Sequence, residues 1–203
     1  MKIAIVDYGM GNIQSINNAL NHLGVIDVIV TSEFETLNSA DKIILPGVGS
    51  FGKAIRKIKL KKIDIFLNEI AVKNKKPLLG ICLGMQLLGK SSTEEGCNDG
   101  LGFIDGSVIK FENTHIKVPH VGFNQVKMNP NSILNDGLNE SSDFYFTHSY
   151  KMLSESDINQ SYCNYNGDFI ASFEVDNIAG VQFHPELSQT NGLRLLKNFI
   201  EKF

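Results

Sequence analysis

The sequence predicts an α/β fold: a mostly parallel, doubly wound sheet with flanking helices, extended by additional antiparallel strands in the second half. Two patterns carry this. Short β-branched runs alternate with amphipathic stretches through the first half, as parallel strands joined by crossover helices require. Extended runs then crowd the second half with few helices between them, which forces some antiparallel pairing. Neither a Pro/Gly/Ser linker nor an internal repeat separates the halves, so residues 1–203 are read as one domain.

The elements follow in order. Lys2 to Asp7 reads as a buried first strand. Ile13, Ile16, Leu20 and Leu23 then recur at three- and four-residue spacing, and Gly24 follows where a helix end needs a left-handed residue. Ile26 to Thr31 is the second strand, and Lys42 to Leu45 a third that stops at Pro-Gly. A helical region spans roughly Phe51 to Lys73, and Leu78 to Cys82 is a fourth strand running straight into a helix. In the second half, strands are predicted at Leu101–Phe111, Val118–Met128, Phe144–Lys151, Ser161–Tyr165, Phe169–Val175 and Ile178–Phe183. The chain closes with Thr190 to Phe203, where Leu193, Leu196, Phe199, Ile200 and Phe203 form one apolar helix face.

Composition narrows the function. With 203 residues and 42% apolar content the chain can bury a core of its own. The net charge is −3 and only Arg56 and Arg194 carry guanidinium groups, so the forked clusters that grip nucleic acid cannot be assembled. Cys82, Cys97 and Cys163 are odd in number and lack CxxC spacing, which disfavours a disulfide framework and a Cys-rich zinc site and fits a reducing cytoplasm. The start, MKIAIVDYGMGN, lacks the pattern of a secretion signal, and the most apolar segment, Pro77 to Met85, is far shorter than the ~20 residues of a bilayer span. A soluble protein with no membrane partner is expected.

The sharpest motif is Gly80-Ile81-Cys82-Leu83-Gly84, placed between a predicted strand and a predicted helix. Taken alone, Cys82 would be a buried structural cysteine beside close-packing glycines. At a strand-to-helix elbow the same spacing presents a side chain from strained backbone, with glycines admitting the neighbouring chains and the helix start favouring a thiolate. Such a nucleophile needs a base and a group that orients the base. His184-Pro185-Glu186 supplies both if extended, because His184 and Glu186 then project to one side; alone, it would as readily be a surface turn. Pro46-Gly47-Val48-Gly49 follows another predicted strand, where glycines let an N–H turn inward; the Val48 and Leu83 N–H groups are the candidate oxyanion hole.

Metal and nucleotide chemistry find less support. His22, His115, His120, His148 and His184 never show i, i+4 spacing, so no metal site is expected. Gly9-Met10-Gly11 opens a helix, but the third glycine of a dinucleotide fingerprint falls at Gln14 and no Gly-x-x-x-x-Gly-Lys loop exists; no cofactor is expected.

Gly80-Ile81-Cys82-Leu83-Gly84-Met85-Gln86, Pro46-Gly47-Val48-Gly49 and His184-Pro185-Glu186 together resemble the class I (triad) glutamine amidotransferases. Asp7-Tyr8-Gly9-Met10-Gly11-Asn12, Pro119-His120-Val121-Gly122-Phe123-Asn124 and Phe146-Thr147-His148-Ser149-Tyr150 resemble the branch whose glutaminase serves a (β/α)8-barrel cyclase in histidine biosynthesis. The resemblance implies a heterodimer with that barrel and glutamine as substrate. It assigns Cys82 as nucleophile, His184 as proton carrier and Glu186 as its orienter. Gly49, Gln86, one of Glu94 and Glu95 (with Glu95 preferred), Ser149 and Tyr150 would hold the substrate, and Asn12, His120, Phe123, Asn124 and Leu187 would face the partner. Two positions depart from the family, which usually has Trp at Phe123 and Lys at Leu187. Changed partner-facing residues beside an intact triad would also fit a paralogue feeding another barrel synthase, such as one aminating a surface-sugar precursor.

Overall fold

A computed structural model describes residues 1–112 and 117–203; His115 lies outside the described residues. Two sheets organise the chain. The first comprises β1 (Lys2–Val6), β2 (Asp27–Thr31), β3 (Lys42–Leu45), β4 (Leu78–Ile81), β8 (His120–Lys127), β9 (Ser141–His148), β11 (Ser161–Asn164), β12 (Asp168–Val175) and β13 (Ile178–Val181). The second, smaller sheet comprises β5 (Ser91–Ser92), β6 (Asn98–Asp99), β7 (Ser107–Lys110) and β10 (Tyr150–Leu153).

The large sheet has the order β2-β1-β3-β4-β13-β12-β11-β8-β9. Its first five strands are parallel and the pairings from β13 to β9 antiparallel, as the change in sequence pattern requires. The middle strands read as unbroken apolar runs because helices cover both faces: β3, β4 and β13 are buried at every position. One face packs on α3 (Phe51–Leu60) and α4 (Ile63–Leu67), the other on α1 (Ile13–His22) and α6 (Gln189–Glu201).

Several details differ from the sequence expectation, among them β5 and β6, which form where no strand is predicted. A short helix, α2 (Phe34–Ser39), lies where no element is predicted; six residues give too short a periodicity to read. The predicted helix over Phe51 to Lys73 breaks at Lys62, which adopts φ 59°, and ends in a wider π-helical turn, Asn68–Lys73. Of the predicted Leu101–Phe111 strand, only β7 forms, and in the smaller sheet. The predicted Phe144–Lys151 strand is two strands in two sheets, because the chain turns out of β9 and into β10 at Ser149. The helix after Cys82, α5, is a short one, Leu83–Leu87.

Candidate active site

Strand order brings the motifs together. Pro46, Cys82 and Gln182 directly follow β3, β4 and β13, three adjacent parallel strands, so their loops open at the same carboxyl edge of the sheet. Register fixes the match: Leu45 pairs with Gly80, and Ile81 with Val181. The Cys82 N–H extends the ladder by donating to the Val181 carbonyl at 2.7 Å.

Cys82 itself sits at φ 54° and ψ −112°, a conformation that costs a non-glycine residue free energy and persists only when its surroundings fix it. The glycines explain how they do so. A Cβ on Gly80 would lie 2.8 Å from the Met85 backbone, and one on Gly84 would run into the Leu45 carbonyl oxygen. The elbow can therefore be as tight as it is only with glycine at both places.

Beside it, His184 Nδ1 lies 2.9 Å from Glu186 Oε1, both side chains being almost wholly buried. Extended geometry at His184 and a short 3-10 turn beginning at Pro185 bring the two together. Ser188 holds the turn: its hydroxyl donates to the His184 carbonyl at 2.6 Å and accepts from the Tyr145 N–H at 2.9 Å. Asn12 Nδ2 makes a longer 3.4 Å contact to the same Glu186 oxygen. The remaining ring nitrogen, His184 Nε2, is buried without a well-formed hydrogen bond. An orphaned imidazole nitrogen beside a thiol is one poised for a proton carried to or from another molecule.

Burial alone would lower the His184 pKa, but the close approach and charge of Cys82, with the hydrogen bond and charge of Glu186, outweigh it and raise the value to about 10. The charged ring thus contributes stability in full below its unfolded pKa of about 6.5, and that contribution is lost as pH rises through the folded value. Comparing denaturant unfolding of wild type and His184→Gln from pH 6 to pH 10 should show the wild-type advantage shrinking by at least about 1 kcal/mol. A constant difference would mean that the ring is neutral throughout.

Cys82 and His184 open on a cavity of about 270 Å³ whose lining includes Val48, Gly49, Leu83, Gln86, Glu94, Ser149 and Tyr150. Gln86 is fixed in direction. Its amide nitrogen donates to the Tyr150 carbonyl at 3.0 Å and to Gln182 Oε1 at 2.8 Å, which leaves its oxygen as an acceptor. Gly49 adopts φ 102°, open to glycine, and Leu83, first residue of α5, has an N–H with no carbonyl one turn earlier to accept it.

Two assignments need correction. The carboxylate in the cavity is Glu94 and not Glu95: Glu94 accepts from the Phe51 N–H at 2.8 Å, whereas Glu95, at φ 57°, turns out to Arg56 at 3.6 Å. Burial raises the Glu94 pKa, helped by the Glu95 charge and opposed by the Phe51 N–H. His120 is only 3% exposed and cannot face a partner, while Phe123 and Leu187 are 50% and 41% exposed. Asn124 is half-buried. Sequence reading also missed Tyr8, whose buried hydroxyl donates to the Pro46 carbonyl at 2.8 Å and so pins the Pro-Gly-Val-Gly turn. It missed Gln182 as well, whose amide nitrogen lies 3.7 Å from the Cys82 sulfur. Tyr8 stood in a quoted motif and Gln182 in a predicted strand, but no spacing rule marks a tyrosine or a strand-end glutamine as functional.

The family model of glutamine amidotransferase class-I matches residues 4–203. An imidazole glycerol phosphate synthase subunit HisH 2 of Vibrio vulnificus is 44% identical, covering 99% of this chain and 94% of the relative. Two numbered copies from one Methanococcus maripaludis strain, HisH 2 and HisH 1, are 48% and 46% identical; each alignment covers 98% of this chain, with 99% and 98% of the respective relative. Among solved structures, PurLQS from Thermotoga maritima superposes with a TM-score of 0.73 at 19% identity, covering 98% of this chain and 97% of that one.

Proposed function

Since the chain belongs to the class I glutamine amidotransferases, we propose that it is the glutaminase subunit of imidazole glycerol phosphate synthase, hydrolysing glutamine and passing ammonia to a cyclase subunit. The observation that carries this is the meeting of Cys82 and His184 at the wall of one cavity, with Glu186 bonded to the far side of the imidazole, in a chain similar over its length to proteins bearing that name. Residues 1–203 act as one glutaminase domain in the cytoplasm, in a heterodimer with a (β/α)8-barrel cyclase.

The steps follow from the groups in place. The Cys82 sulfur attacks the side-chain carbonyl carbon of glutamine, its proton residing on His184. The carbonyl oxygen becomes an oxyanion, to which the Leu83 and Val48 N–H groups donate. His184 returns the proton to the amide nitrogen, the C–N bond breaks, and ammonia leaves a glutamyl thioester. Water then attacks the thioester with His184 as base, releasing glutamate and the thiol. Glu186 keeps the imidazole oriented throughout. The Gln86 oxygen and the Glu94 carboxylate offer two acceptors to the substrate ammonium, and Ser149 and Tyr150 offer main chain to its carboxylate.

Glu94→Gln should raise the glutamine KM about tenfold, the worth of one charged hydrogen bond, and Glu95→Gln by less than about twofold. The reverse order in steady-state kinetics would restore Glu95 to the substrate. The identity of the acceptor is tested by combining the chain with a cyclase subunit and the ribonucleotide precursor. Glutamine-dependent imidazole glycerol phosphate is the expected product.

A second reading has its own support, because two numbered relatives occur in a single Methanococcus strain and the exposed Phe123 and Leu187 are apolar where the family usually has Trp and Lys. On that reading the same chemistry feeds another barrel synthase. Failure to complement a histidine auxotroph lacking this subunit would favour it.

A further inference from the structure

Two buried histidines, His120 and His148, take no part in the steps above, yet they face each other at the cavity, His148 as part of its lining and His120 one ring further from it. They are paired across β8 and β9, with His120 Nδ1 3.0 Å from His148 Nε2. Aromatic rings enclose them: His120 is stacked between Phe146 and Tyr165, with centroids at 4.8 and 3.9 Å, and Phe111 and Phe169 pack on both.

The direction of every hydrogen bond in this group follows from its last member. His148 Nδ1 lies 2.7 Å from the Tyr150 carbonyl oxygen, which can only accept, so Nδ1 carries the proton. In a neutral ring, Nε2 is then an acceptor, and His120 must donate to it from its own Nδ1. His120 Nε2 in turn accepts, and Asn124 Nδ2 approaches it at 3.5 Å. Burial favours the neutral form of both rings, lowering His120 to about 4 and His148 to about 3.

The chain continues past Tyr150. Its carbonyl also accepts from Gln86, Gln86 donates to Gln182, and the Gln182 amide nitrogen reaches the Cys82 sulfur. The bond from His148 to Tyr150 spans Ser149, the residue at which the chain leaves one sheet for the other. Without it, the Tyr150 carbonyl would be set by Gln86 alone.

We propose that His120 and His148 are positioning residues, a one-way hydrogen-bond relay that runs from the exposed β8 strand to the Tyr150 carbonyl and so fixes Gln86, Gln182 and the Ser149–Tyr150 corner for substrate. This rests on the glutaminase reading and adds a route by which contact on β8, where Phe123 is exposed, reaches the substrate-facing side of the cavity.

The test uses the chain assembled with its cyclase subunit. His120→Phe, off the cavity, and His148→Phe, in its wall, each keep an aromatic ring and remove the relay, and each should raise the glutamine KM about tenfold with kcat changed less than about threefold, the His120 variant separating the relay from a change in the wall. His120→Asn, whose Nδ2 overlays the lost Nδ1 donor, should restore KM to within about threefold of wild type. A wild-type KM in the phenylalanine variants, or an Asn variant no better than Phe, overturns the proposal. If the phenylalanine variants do not fold, ¹⁵N spectra of the unaltered chain decide: both imidazoles must be neutral Nδ1–H tautomers, and an Nε2–H form of either overturns the relay. An assembled wild-type protein without glutaminase activity would instead count against the function, leaving the tautomers as a separate result.

Discussion

Replacing Cys82 by alanine is expected to lower glutamine-dependent turnover at least about 10³-fold, while synthesis from added ammonia stays within about twofold of wild type. No other thiol can substitute. Cys163 is buried in the core among Phe169 and Val126, and burial together with the Asp168 charge pushes its thiol up to about 12. Cys97 is exposed, and it does not line the cavity that Cys82 shares with His184. Removing the sulfur leaves the elbow's glycines and its pairing to Val181 untouched, so assembly and ammonia use should survive. Loss of both activities would mean that the side chain holds the subunit together and does no covalent work. Retained glutamine use would end the nucleophile assignment.

The second large effect concerns stability. Gly84→Ala is expected to destabilise the chain by about 3 kcal/mol or more, because its Cβ would meet the Leu45 carbonyl oxygen and not the movable end of a side chain. Leu45 cannot retreat, since its strand is held on both sides by β1 and β4. For a chain of this size, 3 kcal/mol corresponds to a fall of about 10 °C in Tm. An unchanged melting curve would show that the loop after β3 and the start of α5 can part without cost, and with them the turn that presents Val48.

Much of this was legible in the residues. The parallel core showed itself because β3, β4 and β13 are apolar at nearly every position, and the elbow because its two glycines are demanded by close backbone approach. Pairings distant in sequence were less legible. Nothing in Leu101–Phe111 says that a few of its residues join a separate sheet, or in Phe144–Lys151 that the strand divides at Ser149, since both segments are extended either way. Glu94 and Glu95 are neighbours of one chemical type, separated only by a left-handed turn that points one of them to Arg56. His120 looked partner-facing for lack of any sequence mark of its stacking between Phe146 and Tyr165.

The strand that ends at Cys82, the proposed nucleophile, lies in the sheet between a strand made earlier and β13, one of the last to be made. During translation the sulfur therefore emerges long before its imidazole, and a nascent chain has no competent base. Glutamine is safe from a half-synthesised copy. A ribosome that stalls before Ile178 leaves β4 as an unpaired apolar edge, the kind of surface that chaperones and proteases bind, so quality control and catalytic competence hinge on the arrival of the same few residues.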